Sequence, residues 1–211
     1  MPPKRAKNEE IVITAPDLRD INFLIRGDAP YVQNKFSAKA RMEMEDAQSR
    51  TGAKPKKREP KDFQETWQQA LHVSTEGWYG IPANGIRAAM VSACRIVGFA
   101  MTQAKLAVFV PAHGFDEDDG TPLIKITKGS PMIHKGMVRL ATGVADVRWR
   151  PIWHPGWEAI VPFRYDAGMF TASDVGNLFQ RVGMQVGLGE GRPDSKKSVG
   201  MGWGTFQIVY E

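Results

Sequence analysis

The chain runs twice through one order of elements (strand, amphipathic helix, strand), and that order limits its fold more than any single motif. In "IVITAPDLRDINFLIRG", Ile21, Phe23 and Ile25 alternate toward a strand that ends near Gly27. "PANGIRAAMVSACRIVGF" sets Ile86, Ala89, Met90, Ala93 and Val97 at helical spacing, with Asn84 as the expected N-cap and Gly98 as the stop. "LAVFVP", residues 106–111, reads as a compact apolar strand. The second round opens with "GWEAIVPFRYD", where Trp157, Ala159, Val161 and Phe163 alternate as in a half-buried strand. Thr171 with Asp174 then forms a capping-box pattern ahead of a helix whose apolar side carries Val175, Leu178, Phe179, Val182 and Val186. "GTFQIVY" closes the chain as a strand.

The fold class expected from this order is α+β, with a ferredoxin-like, RNA-recognition-type βαββαβ core. Two right-handed crossovers would place both helices on one face of a four-stranded antiparallel sheet. A long insertion, residues 28–82, separates the first strand from the first helix. It holds a short helical stretch over 37–46, a basic loop, and "DFQETWQQALHV" with an apolar face of Phe63, Trp67 and Leu71. A second insertion, residues 112–156, precedes the third core strand. It contains a polar turn "HGFDEDDGT", the strand "PLIKIT" and an irregular stretch through "ADVRWRPIW". Residues 1–10 read as a disordered tail and 11–211 as a single domain.

With 42% hydrophobic residues the chain can bury a real core. The N-terminal "PPKRAKNEE" lacks the apolar stretch of a signal peptide, and no run reaches the ~18 apolar residues of a membrane span. A soluble, cytoplasmic protein without a membrane partner is therefore expected. The single cysteine, Cys94, excludes an internal disulfide and a cysteine-based zinc site.

The formal net charge is +5, and the stretch "RTGAKPKKREPK" alone carries an excess of that size. Arg50, Lys54, Lys56, Lys57, Arg58 and Lys61 face only Glu59 there. Such a run attracts nucleic acid or another polyanion, or else it is a solvated loop that keeps the protein soluble.

Near the C-terminus, "GLGEGRPDSKKSVGMGWGTFQI" holds six glycines with Arg192, Lys196 and Lys197 between them. It follows a helix and precedes a strand, the reverse of a dinucleotide fingerprint, and it lacks the glycine–lysine–Ser/Thr ending of a Walker loop. No nucleotide cofactor is expected. The glycines either cradle phosphates through exposed N–H groups, aided by Arg192 and Lys196, or form a hairpin in which Gly202 and Gly204 admit the last strand closely.

This stretch resembles the glycine-rich loop of the RAMP superfamily of CRISPR-associated RNA-binding proteins. "YGIPANGIRAAMVSACR", residues 79–95, is similar to the start of the first helix in the backbone subunits of those complexes, although Asn84-Gly85 replaces the usual small hydroxyl residues. The chain also resembles uncharacterised bacteriophage proteins with a "GxGExRP" motif. The resemblance implies an RNA-recognition core that binds single-stranded nucleic acid along its backbone. It implies self-association into a filament, hence a homo-oligomer, with residues 28–82 acting as a thumb.

Other chemistry finds less support. His72, His113, His134 and His154 lack metal-ligand spacing, so no metal site is expected. His72, or His134 beside Lys135, would serve a metal-independent ribonuclease of the same superfamily, the runner-up reading. "FDEDDG" fails as a calcium loop, because Gly120 and Thr127 fall where oxygen ligands are needed, and it reads as a solvated turn. Trp149, Trp153 and Trp157 recur among Arg148, Arg150 and His154, a pattern suited to base stacking or to a buried aromatic cluster. The expected function is non-enzymatic binding of single-stranded DNA or RNA, with assembly as a filament along the strand; the alternatives are the ribonuclease and a phage structural or assembly protein whose basic loop is only a solvated tail. The binding contacts would be Lys54, Lys56, Lys57, Arg58, Trp149, Arg150, Trp153, Arg192, Lys196 and Lys197, with Arg87 and Arg95 as weaker candidates.

Overall fold

A computed structural model describes residues 14–49, 62–139, 143–195 and 200–210. The chain is α+β, with antiparallel sheets and five α-helices among the described residues. β1 (Leu18–Gly27) and β9 (Glu158–Asp166) pair at the heart of the larger sheet, with β10 (Phe206–Val209) at its edge beside β1. β6 (Pro122–Lys128) and β3 (Gly80–Pro82) extend it, giving the order β10-β1-β9-β6-β3. The short β4 (Val108–Phe109) pairs with β9, and β5 (Gly114–Phe115) pairs with β6.

The alternation read in the ninth strand is what buries it. Ala159, Val161 and Phe163 are shielded on one face, together with Ile21, Phe23 and Ile25 of β1. On the opposite face, register partners form ion pairs, Asp20 with Arg164 at 2.8 Å and Arg26 with Glu158 at 2.8 Å. The buried face meets α3 (Ala83–Ala93) and α5 (Ala172–Arg181). Ile86 and Met90 of α3 enter the same core as Val175 and Phe179 of α5, and the rings of Phe163 and Phe179 meet edge to face at 4.7 Å.

α5 begins with the expected capping box. Thr171 Oγ1 accepts from the Asp174 N–H at 3.1 Å, and the Asp174 carboxylate accepts from the Thr171 N–H at 2.9 Å. Replacing Thr171 by Ala is expected to cost about 1 kcal/mol in chemical denaturation, the usual worth of a cap. The helix continues as a π turn, Val182–Val186, before the glycine-rich loop.

Three expectations are corrected. "LAVFVP" begins as the end of α4 (Met101–Ala107), whose Ala104 and Ala107 turn into the core; only Val108–Phe109 pair as strand. The N-cap position of α3 is Pro82, without a side-chain cap, and Asn84 lies within the first turn. The irregular stretch before β9 is a regular hairpin of β7 (Met132–Arg139) and β8 (Ala145–Trp153). With β2 (Tyr31–Val32) it makes a second sheet, ordered β2-β8-β7. Pro151 enters the sheet as an acceptor: the Gln33 N–H, just past β2, bonds to the Pro151 carbonyl at 3.0 Å, and the register sets Pro151 opposite Ile133 of β7.

α1 (Ala38–Ser49) and α2 (Phe63–Gln69) lie between β2 and β3. None of the described helices is long and apolar enough to cross a membrane.

Candidate nucleic-acid interface

The β7–β8 register sorts the hairpin's side chains onto two faces, because alternate residues of a strand point to opposite sides. His134 pairs with Arg150 and Gly136 with Arg148, which puts His134, Arg148 and Arg150 on one face. Lys135 pairs with Trp149 and Met137 with Val147 on the other.

The first face meets the glycine-rich loop. Arg150 Nε donates to Glu190 at 2.9 Å, and the ring of Trp203 meets His134 edge-on at 5.2 Å. The loop is also stitched to β2 and the turn before it, with the N–H groups of Glu190 and Gly204 donating to the Val32 and Pro30 carbonyls. All six glycines adopt φ between 70° and 76°, the left-handed region that side chains resist. Their N–H-rich backbone is largely spent within the chain: Leu188, Met201 and Trp203 also donate to loop carbonyls. The glycines therefore fold the loop onto itself, and those amides form no open phosphate cradle.

On the second face Trp149 is half-buried. Phe63 of α2 stacks on its ring at 5.5 Å, and the Lys135 ammonium lies 4.5 Å from its centroid. α2 is held there by a second contact, Trp67 Nε1 donating to the Met132 carbonyl. Met137 and Val147 remain exposed beside this cluster.

The expected contact residues thus divide. Arg150 and Arg192 lie where the hairpin meets the loop, Arg192 donating to the Gly189 carbonyl at 3.1 Å, while Trp149 lies on the opposite face of the hairpin, against α2. Arg150 is already paired and its side chain is only 11% exposed. Trp153 is corrected: it is 0% exposed, packed against Tyr31 and Tyr79, and offers no platform for a base. Arg87 donates to the carbonyls of Val108 and Lys105 and lies over Phe109, so it braces α3 against α4 and β4. Arg95 is held by Asp194, whose carboxyl pKa is lowered first by the Ser92 hydroxyl and then by Arg95. Lys54, Lys56, Lys57, Arg58, Lys196 and Lys197 lie outside the described residues. Lys135 joins Trp149 on one face and Trp203 joins His134 on the other without having stood out as contacts.

A second cluster lies at the foot of α1 and α2. The acidic turn is not simply solvated: the Asp116 side chain is 0% exposed and accepts from Lys35 Nζ at 2.5 Å and His72 Nδ1 at 2.9 Å. Lys35, 2% exposed, also reaches Asp118 at 2.7 Å, and Arg41 faces Asp119 at 3.5 Å. Burial lowers the His72 pKa, with Asp116 opposing and Lys35 adding to the shift. For Lys35, burial works to lower the pKa, but the Asp116 and Asp118 carboxylates outweigh it and raise the value. Among the described residues, no group of three or more His, Cys, Asp or Glu is placed to hold a metal ion.

No protein-family model matches the chain, and no curated protein is significantly similar to it.

Proposed function

We propose that this protein binds single-stranded DNA or RNA without cleaving it, through the β7–β8 hairpin and the adjoining glycine-rich loop. The observation that carries the reading is the hairpin register, which sets Lys135 with Trp149 on one face and Arg148 with Arg150 on the other. Cations interleaved with aromatic rings suit a strand whose phosphates and unstacked bases are both accessible. Arg148, Lys135 and Arg192 would contact phosphates, which positions the strand without reading its sequence. Arg150, held by Glu190, would shape the surface rather than bind.

The core supports the same reading. The order β10-β1-β9-β6, with α3 and α5 in the connections, supports a ferredoxin-like, RNA-recognition-type core as part of this proposal. The outer face of β1 and β9 carries cross-strand ion pairs, while Phe23 and Phe163 point into the core, so stacking falls to the hairpin. Kinship with the RAMP superfamily or its phage-encoded relatives, and assembly of several copies along a strand, belong to this proposal. Cooperative binding would be their signature.

The test is fluorescence anisotropy with labelled single-stranded DNA, single-stranded RNA and duplex DNA across a salt series, with each recovered RNA run on a gel. Single strands should bind with a steep salt slope. Arg148→Ala and Lys135→Ala should each flatten that slope by about 0.7, the share of one phosphate contact. Trp149→Ala should weaken binding by about 1–3 kcal/mol. Failure of every probe to bind at low salt would sink the reading. A ribonuclease has one observation in its favour, the orientation of His72 by Asp116. RNA cleavage abolished by His72→Ala would put it first, although a general base must reach its proton and this ring is mostly buried.

A further inference from the structure

The chain leaves the small sheet after β2, runs through α1 and α2, and enters the larger sheet at β3. Lys35 stands three residues before α1, and His72 stands three residues after α2. Both reach the same carboxylate, each taking one oxygen: Lys35 Nζ on Asp116 Oδ1 and His72 Nδ1 on Asp116 Oδ2. We propose that Asp116 is a positioning residue, which clasps both limbs of this excursion and thereby seats α2 on the β7–β8 hairpin.

The clasp is anchored to the larger sheet. Asp116 follows β5 directly, its N–H donates to the Thr121 carbonyl at 2.9 Å, and it bridges to Ser74. Its Oδ1 also accepts from the Asp118 N–H at 3.0 Å, which fixes the carboxylate's orientation. The limbs are tied to each other at the same level. The Lys35 N–H donates to the Ala70 carbonyl at 3.3 Å, and Gln33, itself buried, accepts from the His72 N–H at 2.9 Å while donating to the Gly80 carbonyl at 2.6 Å.

What lies beyond the clasp is held more lightly. No residue of the seven-residue α2 is fully buried, whereas Ala70 and Leu71, next to the clasp, are. A helix with so little buried surface opens locally at small cost unless its end is fixed. Fixing that end keeps Phe63 on Trp149 and Trp67 on the Met132 carbonyl. A buried ion pair suits this use better than a surface pair, because loss of one partner strands the other charge in a dry site. A surface pair merely returns to water.

Hydrogen exchange of the full-length protein tests the clasp without any ligand. In Asp116→Asn, amides of residues 38–49 and 63–71 should exchange at least about tenfold faster, while β1, β9 and β10 keep their protection. His72→Phe should loosen residues 63–71 alone. His72→Gln, whose amide can still donate to Asp116, should restore them. Acceleration of equal size in the sheet and both helices, or none anywhere, overturns the proposal. Should Asp116→Asn not fold, His72→Phe carries the test, since that ring already touches solvent.

The consequence for binding rests on the proposed interface. With labelled oligothymidine, Asp116→Asn should bind about tenfold more weakly at an unchanged salt slope, because no phosphate-contacting cation is removed. Unchanged affinity in a variant whose α2 has loosened overturns the link to the interface. A wild-type protein that binds no probe removes the interface reading, and the exchange pattern then decides the clasp by itself.

Discussion

Gly204→Ala should destabilise the protein by about 3–4 kcal/mol, and Gly202→Ala by only about 1 kcal/mol. The two glycines sit two residues apart with nearly the same backbone, φ of 70° and 73°. Each substitution therefore carries the same left-handed strain. They differ in what the new methyl group meets. At Gly204 a Cβ would lie 1.8 Å from the Leu188 carbonyl oxygen, with the Leu188 backbone nitrogen and carbon both at 2.7 Å. These are backbone atoms of a residue sunk in the core, held by a hydrogen bond from the Leu188 N–H to the Gly204 carbonyl at 3.0 Å. The clash can be relieved only by moving the start of β10 away from the loop. At Gly202 a Cβ would find nothing within 4 Å. Chemical denaturation of the two variants measures the difference, and equal losses would mean that close packing is not what the glycine at 204 serves. Gly202 also separates packing from binding. If a strand's backbone approaches the loop there, Gly202→Ala should lose affinity while remaining nearly as stable as the parent.

How much of this could be read in the sequence depended on the range of the interaction. The ninth strand was legible because its alternation of Trp157, Ala159, Val161 and Phe163 is a period of two. The start of α5 was legible because Thr171 and Asp174 satisfy each other within one turn. "LAVFVP" misled because a short apolar run has no period of its own. The Ala104 and Ala107 positions that make it the end of a helix lie partly upstream of it. The hairpin was hidden by its own chemistry. Arg148, Trp149 and Arg150 alternate across a two-sided sheet, with polar contacts on one face and α2 on the other, so neither face reads as apolar. Trp153 illustrates the cost: it shares the spacing of Trp149, yet Tyr31 and Tyr79 enclose it. Asp116 was the least visible. Its partners stand 81 and 44 residues away, and its acidic neighbours disguise it as part of a solvated turn.

Because both charges are buried, Lys35→Met should be among the most damaging single changes, at about 3–5 kcal/mol, the range for breaking a buried ion pair. Without the ammonium, the Asp116 carboxylate stays desolvated with only His72 and the Asp118 N–H as donors. Asp118→Asn should cost no more than about 1 kcal/mol, since half of that side chain is already in water. The double variant Lys35→Met with Asp116→Asn should lose less than the two single losses combined, because the stranded charge is gone. Additive losses would mean that the two residues act separately. The pH dependence has a definite sign on each side. Burial holds the His72 pKa below its ordinary 6.5, so the unfolded chain binds the proton more readily. Stability from this group is complete above 6.5 and is lost as the pH falls through the folded value; His113, lowered by burial and by Lys125, acts in the same direction. The Lys35 pKa is raised above 10.5, so its contribution is complete below that value and is lost as the pH rises through the folded one. Denaturation midpoints of His72→Phe should therefore fall less steeply than the parent's between about pH 7 and 5. A slope as steep as the parent's would place the acid sensitivity on His113 or on the carboxylates, and would leave the His72–Asp116 bond a geometric contact with no share in the protein's response to acid.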